Sequence, residues 1–308
     1  MNDPTSLDTE AAANRTEGTP YDQWSEWLLH GRFSGNRESH SKALSALLPV
    51  RDTVLDNAEL SPGDTVLDIG CGDGLIGFGV FNLLSECDVI FLDISNNLLD
   101  ACRDIAAAAG LTEKCRFVNS NIHSMDIIDN ESIDVVTGRS VLCYSSNLQA
   151  AVAETYRVLR KGGRLSLFEP VNSFTRLYGK PNSIYGYDLS HIPDIAKKIL
   201  MAFDQEQGSG IDSMIAFDED NLFQVARAAG FSEVYIEKKG YATPSCQFSD
   251  LETMLNFAPN PFTPSLQEVS HSTLNVKERI IFMKHLQSLI DSGAGETVGA
   301  YCYAVAVK

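Results

Sequence analysis

A glycine-rich turn between two predicted strands constrains this chain more than any other feature. The run reads VLDIGCGDG at residues 66–74, and the apolar run VIFL at residues 89–92 ends in Asp93. Gly70, Gly72 and Gly74 let the backbone turn sharply and approach a ligand without Cβ clashes. A buried strand, a glycine turn and a second strand that ends in a carboxylate are typical of a nucleoside-binding crevice at the carboxyl edge of a parallel sheet.

Two kinds of cofactor fit such a crevice. Residues 72–77 match the dinucleotide pattern G-x-G-x-x-G, but a single match of this kind is a weak signal. Asp68 ends the first strand and Asp73 lies in the turn, so both place negative charge where a helix N-terminus would otherwise bind a pyrophosphate. Carboxylates suit a cation, and S-adenosylmethionine (SAM) carries a sulfonium and an ammonium group. These residues therefore favour SAM over a nicotinamide or flavin dinucleotide.

The whole run D-x-G-x-G-x-G at residues 68–74 resembles the first motif of class I SAM-dependent methyltransferases. The resemblance extends with motif detail over about residues 50–170, and more loosely to the C-terminus. It implies that four residues surround the methionine part of SAM: Asp68, Gly70, Cys71 and Gly72.

Later positions complete the cofactor site that the resemblance implies. Asp93 would hold the ribose hydroxyls, and Ile94 would lie against one face of adenine. Asn121 and Ile122 stand where the family usually has an acidic and then a small residue, and an amide can still bond the adenine amino group and a ring nitrogen. Arg139 ends the fourth predicted strand, which matches the family's fourth motif, and would lie beside the methionine carboxylate.

Ubiquinone and menaquinone C-methyltransferases and natural-product methyltransferases share this core, so the resemblance implies methyl transfer from SAM to an oxygen, nitrogen or carbon atom of a small metabolite. The sulfonium is already activated, which leaves the protein to position the acceptor in line and to exclude water. An acceptor that loses a proton also needs a general base. The candidates are His191, with Glu169 and Tyr144 as alternatives.

Two other functions stay open at this point. One is a SAM-binding sensor or partner subunit that does not methylate, and the other is an NAD(P)-dependent oxidoreductase. The chain lacks the motif H-E-x-x-H of metalloproteases and the motif G-x-S-x-G of serine hydrolases. We therefore expect neither a metal ion nor hydrolase chemistry.

The order of apolar runs and turns predicts an α/β fold with a doubly wound, mostly parallel sheet of seven strands, the Rossmann-like methyltransferase fold, with helical lid insertions. Strands are expected near residues 64–69, 88–93, 115–119, 132–138, 163–169, 234–236 and 300–307, and helices near 74–85, 95–109, 146–160, 218–230 and 276–291. An N-terminal helical region is expected to break near Pro49.

The same pattern divides the chain into segments. We expect a disordered tail at 1–20, an N-terminal helical lid at 21–60, a SAM-binding core at 61–170, a cap insertion at 171–217, further core at 218–240, a helical insertion at 241–296 and a final core strand at 297–308. Trp24 and Trp27 share a helical face in the second segment. They either pin a helix to the core or cover the cofactor and substrate.

The charge balance bears on the partners of the protein. The formal net charge is −17, which disfavours nucleic acids and anionic membranes because both select basic surfaces. No apolar leader or membrane-spanning stretch is apparent, and the seven cysteines contain no C-x-x-C pair. We expect a cytoplasmic protein with a small-molecule substrate, and the sequence leaves its oligomeric state open.

Overall fold

A computed structural model describes residues 21–31, 37–206, 211–244, 248 and 250–308. The tail predicted at residues 1–20 lies outside the described residues. The strands are β1 (Thr65–Ile69), β2 (Asp88–Asp93), β3 (Cys115–Asn119), β4 (Ile133–Arg139), β5 (Leu159–Pro170), β6 (Ser183–Ile184), β7 (Tyr187–Asp188), β8 (Glu233–Pro244) and β9 (Glu296–Val307).

The helices alternate with these strands in the first half of the chain and cluster in the insertions. They are α1 (Gln23–Glu26), α2 (Arg37–Ala58), α3 (Leu75–Leu83), α4 (Asn96–Ala108), α5 (Leu148–Val158), α6 (Asn172–Tyr178), α7 (Pro193–Glu206), α8 (Ile211–Ala216), α9 (Glu219–Ala229), α10 (Leu251–Asn256), α11 (Leu266–Thr273) and α12 (Val276–Ser292). A π-helical turn at Trp27–Gly31 continues α1.

Seven strands form one sheet in the order β3-β2-β1-β4-β5-β9-β8. The strands from β3 to β5 pair in parallel, whereas β9 runs antiparallel to both β5 and β8. The chain leaves β1 toward β2 and β3 on one side and later returns to build β4 and β5 on the other. This reversal places the ends of β1 and β4 at a topological switch point, where ligands bind in open parallel sheets. The predicted fold class is confirmed.

The central strands are mostly apolar because helices cover both faces of the sheet. Along β1, Val66 packs with Val54 of α2 and Phe78 of α3 in one hydrophobic cluster, and Leu67 belongs to a second cluster with Val152 of α5. All five side chains are essentially buried. Burial of this kind stabilises a fold by about 1.5–3 kcal/mol for each large apolar side chain.

The segments expected as two insertions share one hydrophobic cluster. Tyr187 and Leu189 from the first segment pack with Leu266 and Phe282 from the second, and these four side chains are almost completely buried. Residues far apart in sequence thus form a single helical cap with its own core. No helix in the described part of the chain is both long and apolar enough to cross a membrane.

Two local expectations were wrong. Pro49 does not interrupt the N-terminal helix, because α2 runs through it from residue 37 to residue 58. Proline removes one backbone donor, and the buried residues Val54 and Leu55 hold the following turns against the core. The hairpin of β8 and β9 is longer than predicted and extends into the insertion expected at 241–296. Its additional residues are exposed in β8, so they need no apolar pattern to pair through their backbones.

Candidate cofactor and substrate site

The turn after β1 is held in a conformation that favours glycine. Gly70 and Gly72 both have a φ of +56°, and a Cβ atom on Gly70 would lie 2.4 Å from Cγ2 of Val141. The Cys71 amide donates to the Leu92 carbonyl at 3.0 Å. The turn therefore lies flat across the ends of β1 and β2, with its backbone open to a ligand.

The Asp68 side chain links the end of β1 to α3 and β4 through two hydrogen bonds. One carboxylate oxygen accepts the Gly77 amide in the first turn of α3 at 2.9 Å, and the other accepts the Thr137 hydroxyl at 3.1 Å. Burial raises the pKa of Asp68 to about 7, although these hydrogen bonds and the charge of Arg139 act in the opposite direction. Asp68 does not line the cavity described below. Its effect on a ligand is therefore indirect.

Asp93 ends β2 beside the same turn and faces the cavity. Its Oδ2 accepts the Gly72 amide at 3.0 Å, and its Oδ1 accepts the Ser95 amide at 2.9 Å. Burial raises the pKa of this carboxyl, the two amides lower it, and nearby Asp22 raises it further. Each oxygen keeps a second lone-pair site, so a diol could donate to a carboxylate that is already fixed in place.

A cavity of about 490 Å³ opens at this edge of the sheet. It is lined by residues from the N-terminal segment, the ends of β1, β2, β4 and β5, the turn after β3, and the cap. The lining includes these residues expected at the site: Gly70, Gly72, Asp93, Ile94, Asn121, Ile122, Arg139 and Tyr144. Its volume is typical of a pocket for a small ligand.

Arg139 is the only arginine or lysine among the described lining residues. Among the described residues its side chain makes no hydrogen bond and no ion pair. A half-buried guanidinium whose donors bond no described residue can bind a carboxylate. The next residue, Ser140, has a φ of +54°, and such strain is often found at functional sites.

The turn after β3 is fixed by its own side chains. Asn121 accepts the His123 amide through Oδ1 at 2.9 Å, so part of its acceptor capacity is already used. Nε2 of His123 is 2.7 Å from the Ser145 hydroxyl, and both residues line the cavity. Sequence reasoning missed His123. Its position shortly beyond the polar end of a predicted strand was the signal that could have indicated it.

The N-terminal segment contributes Trp24, Trp27 and Leu28 to the wall of the cavity. The Trp24 ring packs edge-on against Tyr144 at 5.1 Å and against Phe262 at 5.5 Å, measured between ring centroids. The Trp27 indole donates to the Ala258 carbonyl at 2.8 Å. Leu28 approaches the turn so closely that a Cβ atom on Gly72 would lie 3.1 Å from it. Of the two interpretations of the tryptophans, this position favours a cover over the site.

Other expected site residues lie elsewhere. Glu169 is fully buried, and its carboxylate accepts the amides of Val141, Leu142 and Cys143 at 2.8–3.2 Å. It organises the loop after β4 and does not line the cavity, and burial raises its pKa. His191 is exposed on the cap, 6.1 Å from His285 between ring centroids, and also lies outside the cavity lining.

The Cys71 side chain is turned into the protein. It is 7% exposed, and its sulfur lies beside Cys102 and the Gly72 carbonyl. Burial raises the pKa of the Cys71 thiol well above its ordinary value, and Cys71 does not line the cavity. Within the described ranges, no group of three or more histidine, cysteine, aspartate or glutamate side chains could hold a metal ion.

The site geometry fits SAM by three separate observations. The glycine turn leaves room where side chains would clash, and Asp93 keeps second lone-pair sites for a diol. Arg139 offers a cation that has no ion pair within the described ranges and so suits a carboxylate. A pyrophosphate is disfavoured because Asp68 already occupies the N-terminus of α3.

Comparisons with known proteins agree with this geometry. Residues 60–208 match a family described as "Methyltransferase domain". Ubiquinone/menaquinone biosynthesis C-methyltransferase UbiE of Dinoroseobacter shibae is 29% identical over 188 residues, which span 60% of this chain and 72% of the relative. Sterol 24-C-methyltransferase ERG6 of Saccharomyces cerevisiae is 28% identical over 161 residues, which span 52% of this chain and 38% of the relative.

Solved structures resemble this chain at the level of the fold alone. The MccD protein superposes with a TM-score of 0.51 and 12% identity, covering 84% of this chain and 96% of that one. A phospholethanolamine N-methyltransferase of Haemonchus contortus gives a TM-score of 0.50 and 14% identity, covering 92% and 56%. The motifs, the strand order and the family match over residues 60–208 together support a class I SAM-dependent methyltransferase.

Proposed function

We propose that the protein transfers a methyl group from SAM to an oxygen, nitrogen or carbon atom of a small, partly apolar molecule bound under the N-terminal cover. The observation that carries this proposal is one cavity in which Asp93 and Arg139 share space with aromatic side chains from the N-terminal segment. Its polar groups suit a nucleoside amino acid, and its aromatic groups suit an apolar acceptor.

Four lining residues would hold the cofactor. The Asp93 carboxylate would accept the ribose hydroxyls, since two backbone amides already fix its orientation. Ile94 is 50% exposed and offers a flat apolar surface for adenine beside Asn121. Arg139 would hold the methionine carboxylate. When bound, SAM supplies an activated methyl group on its sulfonium, so the protein need not activate the donor.

The acceptor would lie among Trp24, Trp27, Tyr144, Phe168 and Met214, which line the same cavity. Apolar and aromatic walls favour an acceptor with an apolar part, because burial of such surface is the main source of affinity here. The names of the two relatives specify C-methylation, which favours carbon among the three acceptor atoms.

The cover excludes water from the reacting groups. Trp24 closes on Tyr144 and Phe262, and Trp27 is tied to Ala258 on the cap. Exclusion of water strengthens electrostatic contacts inside the site and protects the donor from hydrolysis. Where the acceptor loses a proton, Tyr144 and His123 are the lining side chains placed to receive it.

An assay of S-adenosylhomocysteine (SAH) release tests this function. The protein is incubated with SAM and a panel of small phenols, amines, ketones and quinols, and SAH is measured with and without each compound. We expect SAH to form only when an acceptor is present, and Asp93→Ala to reduce the rate at least about tenfold. Glu113→Ala, which removes an exposed carboxylate on the surface, is the charge-matched control and should keep the wild-type rate.

Two outcomes would contradict the proposal. One is SAH release that does not depend on any acceptor. The other is an Asp93→Ala variant that is as active as the Glu113→Ala control.

A further inference from the structure

The outer edge of the sheet is long and open. β8 comprises 12 residues, and in the described part of the chain it pairs only with β9. Its residues from Glu237 to Pro244 are all exposed, and so are Tyr235 at 62% and Tyr241 at 42%. An edge of this kind is a template for another strand.

The hydrogen bonds of β9 show which backbone groups of β8 face outward. The Val171 amide donates to the Ala300 carbonyl at 2.8 Å, and the Lys308 amide donates to Gly163 at 3.0 Å, so even-numbered residues of β9 face β5. Odd-numbered residues of β9 therefore face β8, and by register they meet odd-numbered residues there. The even-numbered residues of β8 direct their amides and carbonyls away from the sheet.

We propose that β8 pairs antiparallel with β8 of a second copy of this chain, about a two-fold axis at Lys238, so that two sheets join into one. In this register Glu237 lies opposite Lys239 of the second copy, and Tyr235 lies opposite Tyr241. The positions of Glu237 and Lys239 are thus complementary in charge across the two-fold axis. A two-fold symmetric contact requires this property of any surface that pairs with itself.

The positions of the odd-numbered residues of β8 in the proposed strand pair also favour this register. Odd-numbered residues of β8 would occupy the non-hydrogen-bonded pairs, where opposite side chains come closest. Glu237 and Lys239 already form an ion pair at 3.2 Å within one chain, so the dimer would build a network of four alternating charges. A two-fold axis at Glu237 or at Lys239 instead would set like charges opposite each other in a non-hydrogen-bonded pair, where side chains come closest, whereas Lys238 on the proposed axis lies in a hydrogen-bonded pair, where they are farther apart.

The lysines of β8 do not block this contact. Lysine on an edge strand usually prevents pairing by exposing an uncompensated charge. Lys238, which would face its own copy on the axis, is ion-paired with Glu219 of α9. Pro244 has an even number, so its missing amide faces outward at the end of the strand and leaves the β8–β9 ladder intact.

Light scattering coupled to size-exclusion chromatography tests the dimer. At about 0.15 M salt, where charge repulsion between chains is screened beyond about 8 Å, we expect wild-type protein to have the mass of two chains. Glu237→Lys sets a cation opposite Lys239 of the second copy and should raise the dimer dissociation constant at least about tenfold. The double variant Glu237→Lys/Lys239→Glu restores opposite charges and should restore the dimer.

Glu113→Lys is the matched control, because it makes the same charge change at an exposed residue before β3, at the other edge of the sheet. It should remain dimeric, and circular dichroism should show that all variants are folded. Wild-type protein with the mass of one chain at about 100 μM would overturn the proposal. So would a Glu237→Lys variant that behaves like the control, or a double variant that stays monomeric.

Discussion

The carboxyl group of Asp68 accepts the amide of Gly77 at 2.9 Å and so occupies the N-terminus of α3 with a side chain of the protein itself. This pairing decides between the two cofactor classes that the glycine run admits. A dinucleotide would place its pyrophosphate at this helix end, where Asp68 would repel it. SAM needs the backbone of the turn to approach it closely, and Gly70 and Gly72 allow this approach.

The raised pKa of Asp68 predicts a pH dependence of stability. Its folded value of about 7 exceeds the ordinary 3.8, so the folded state holds the proton more tightly than the unfolded state. This contribution is complete below about pH 4 and is lost as the pH rises through 7, with a slope of at most about 1.4 kcal/mol per pH unit. Asp68→Asn cannot titrate. As the pH rises from about 5 to about 8, the wild-type protein should therefore lose unfolding free energy relative to Asp68→Asn. Urea unfolding of both proteins at each pH measures this difference. A difference that stays constant over this range would contradict the raised pKa.

Gly70→Ala should destabilise the protein more than Gly63→Ala. Both glycines have a positive φ, at +56° and +88°, so either substitution strains the backbone by about 1–2 kcal/mol. Only the new Cβ at position 70 meets Val141, whereas nothing lies within 4 Å of the Cβ built on Gly63. Because of this contact, Gly70→Ala should lose about 1–3 kcal/mol more unfolding free energy than Gly63→Ala. Denaturant titration of both variants measures the two losses. Equal losses at both positions would show that the approach of Val141 is not a constraint.

Arg139→Gln should weaken SAH binding, because it removes the cation that we assign to the methionine carboxylate. A hydrogen bond to a charged group contributes about 1.5–3 kcal/mol, which corresponds to a loss of affinity of roughly 10-fold to 150-fold. Arg116→Gln makes the same change at an exposed residue of β3. Calorimetric titration of both variants with SAH should separate them, and equal affinities would remove Arg139 from the cofactor site.

Trp24→Ala should open the cover over the site. Its ring contacts with Tyr144 and Phe262 are lost, so bound SAH should leave about tenfold faster while other parts of the fold stay intact. Tyr21→Ala changes an exposed residue just before α1 that does not line the cavity. Stopped-flow dissociation measurements should show the wild-type rate for that control. Equal rates for both variants would contradict a covering role for Trp24.

Local sequence order predicted the parallel core well. Apolar runs such as Val89–Leu92 are bounded by turns, and a parallel sheet needs no alternation because both faces are buried. The candidate cofactor residues Gly70 and Asp93 could be predicted for the same reason, since each follows or ends a predicted strand. Arg139 ends the fourth strand in the same way.

Long-range contacts explain what the sequence could not predict. Nothing local distinguishes a Glu169 that faces a cavity from one that accepts three amides of the loop at 141–143. The bond from Trp27 to Ala258 joins residues 231 positions apart. The hydroxyl of Ser145 that bonds His123 lies 22 residues away, so this pair also becomes visible only after folding.

Calorimetric titration of the wild-type protein with SAH tests the central claim most directly. SAH carries the adenosine and amino acid groups of SAM without the transferable methyl group, so the result reports the cofactor site without any acceptor. We predict saturable binding at one site per chain with a dissociation constant in the micromolar range, about −8 kcal/mol. No saturable heat at high micromolar SAH would contradict the assignment of this cavity to SAM.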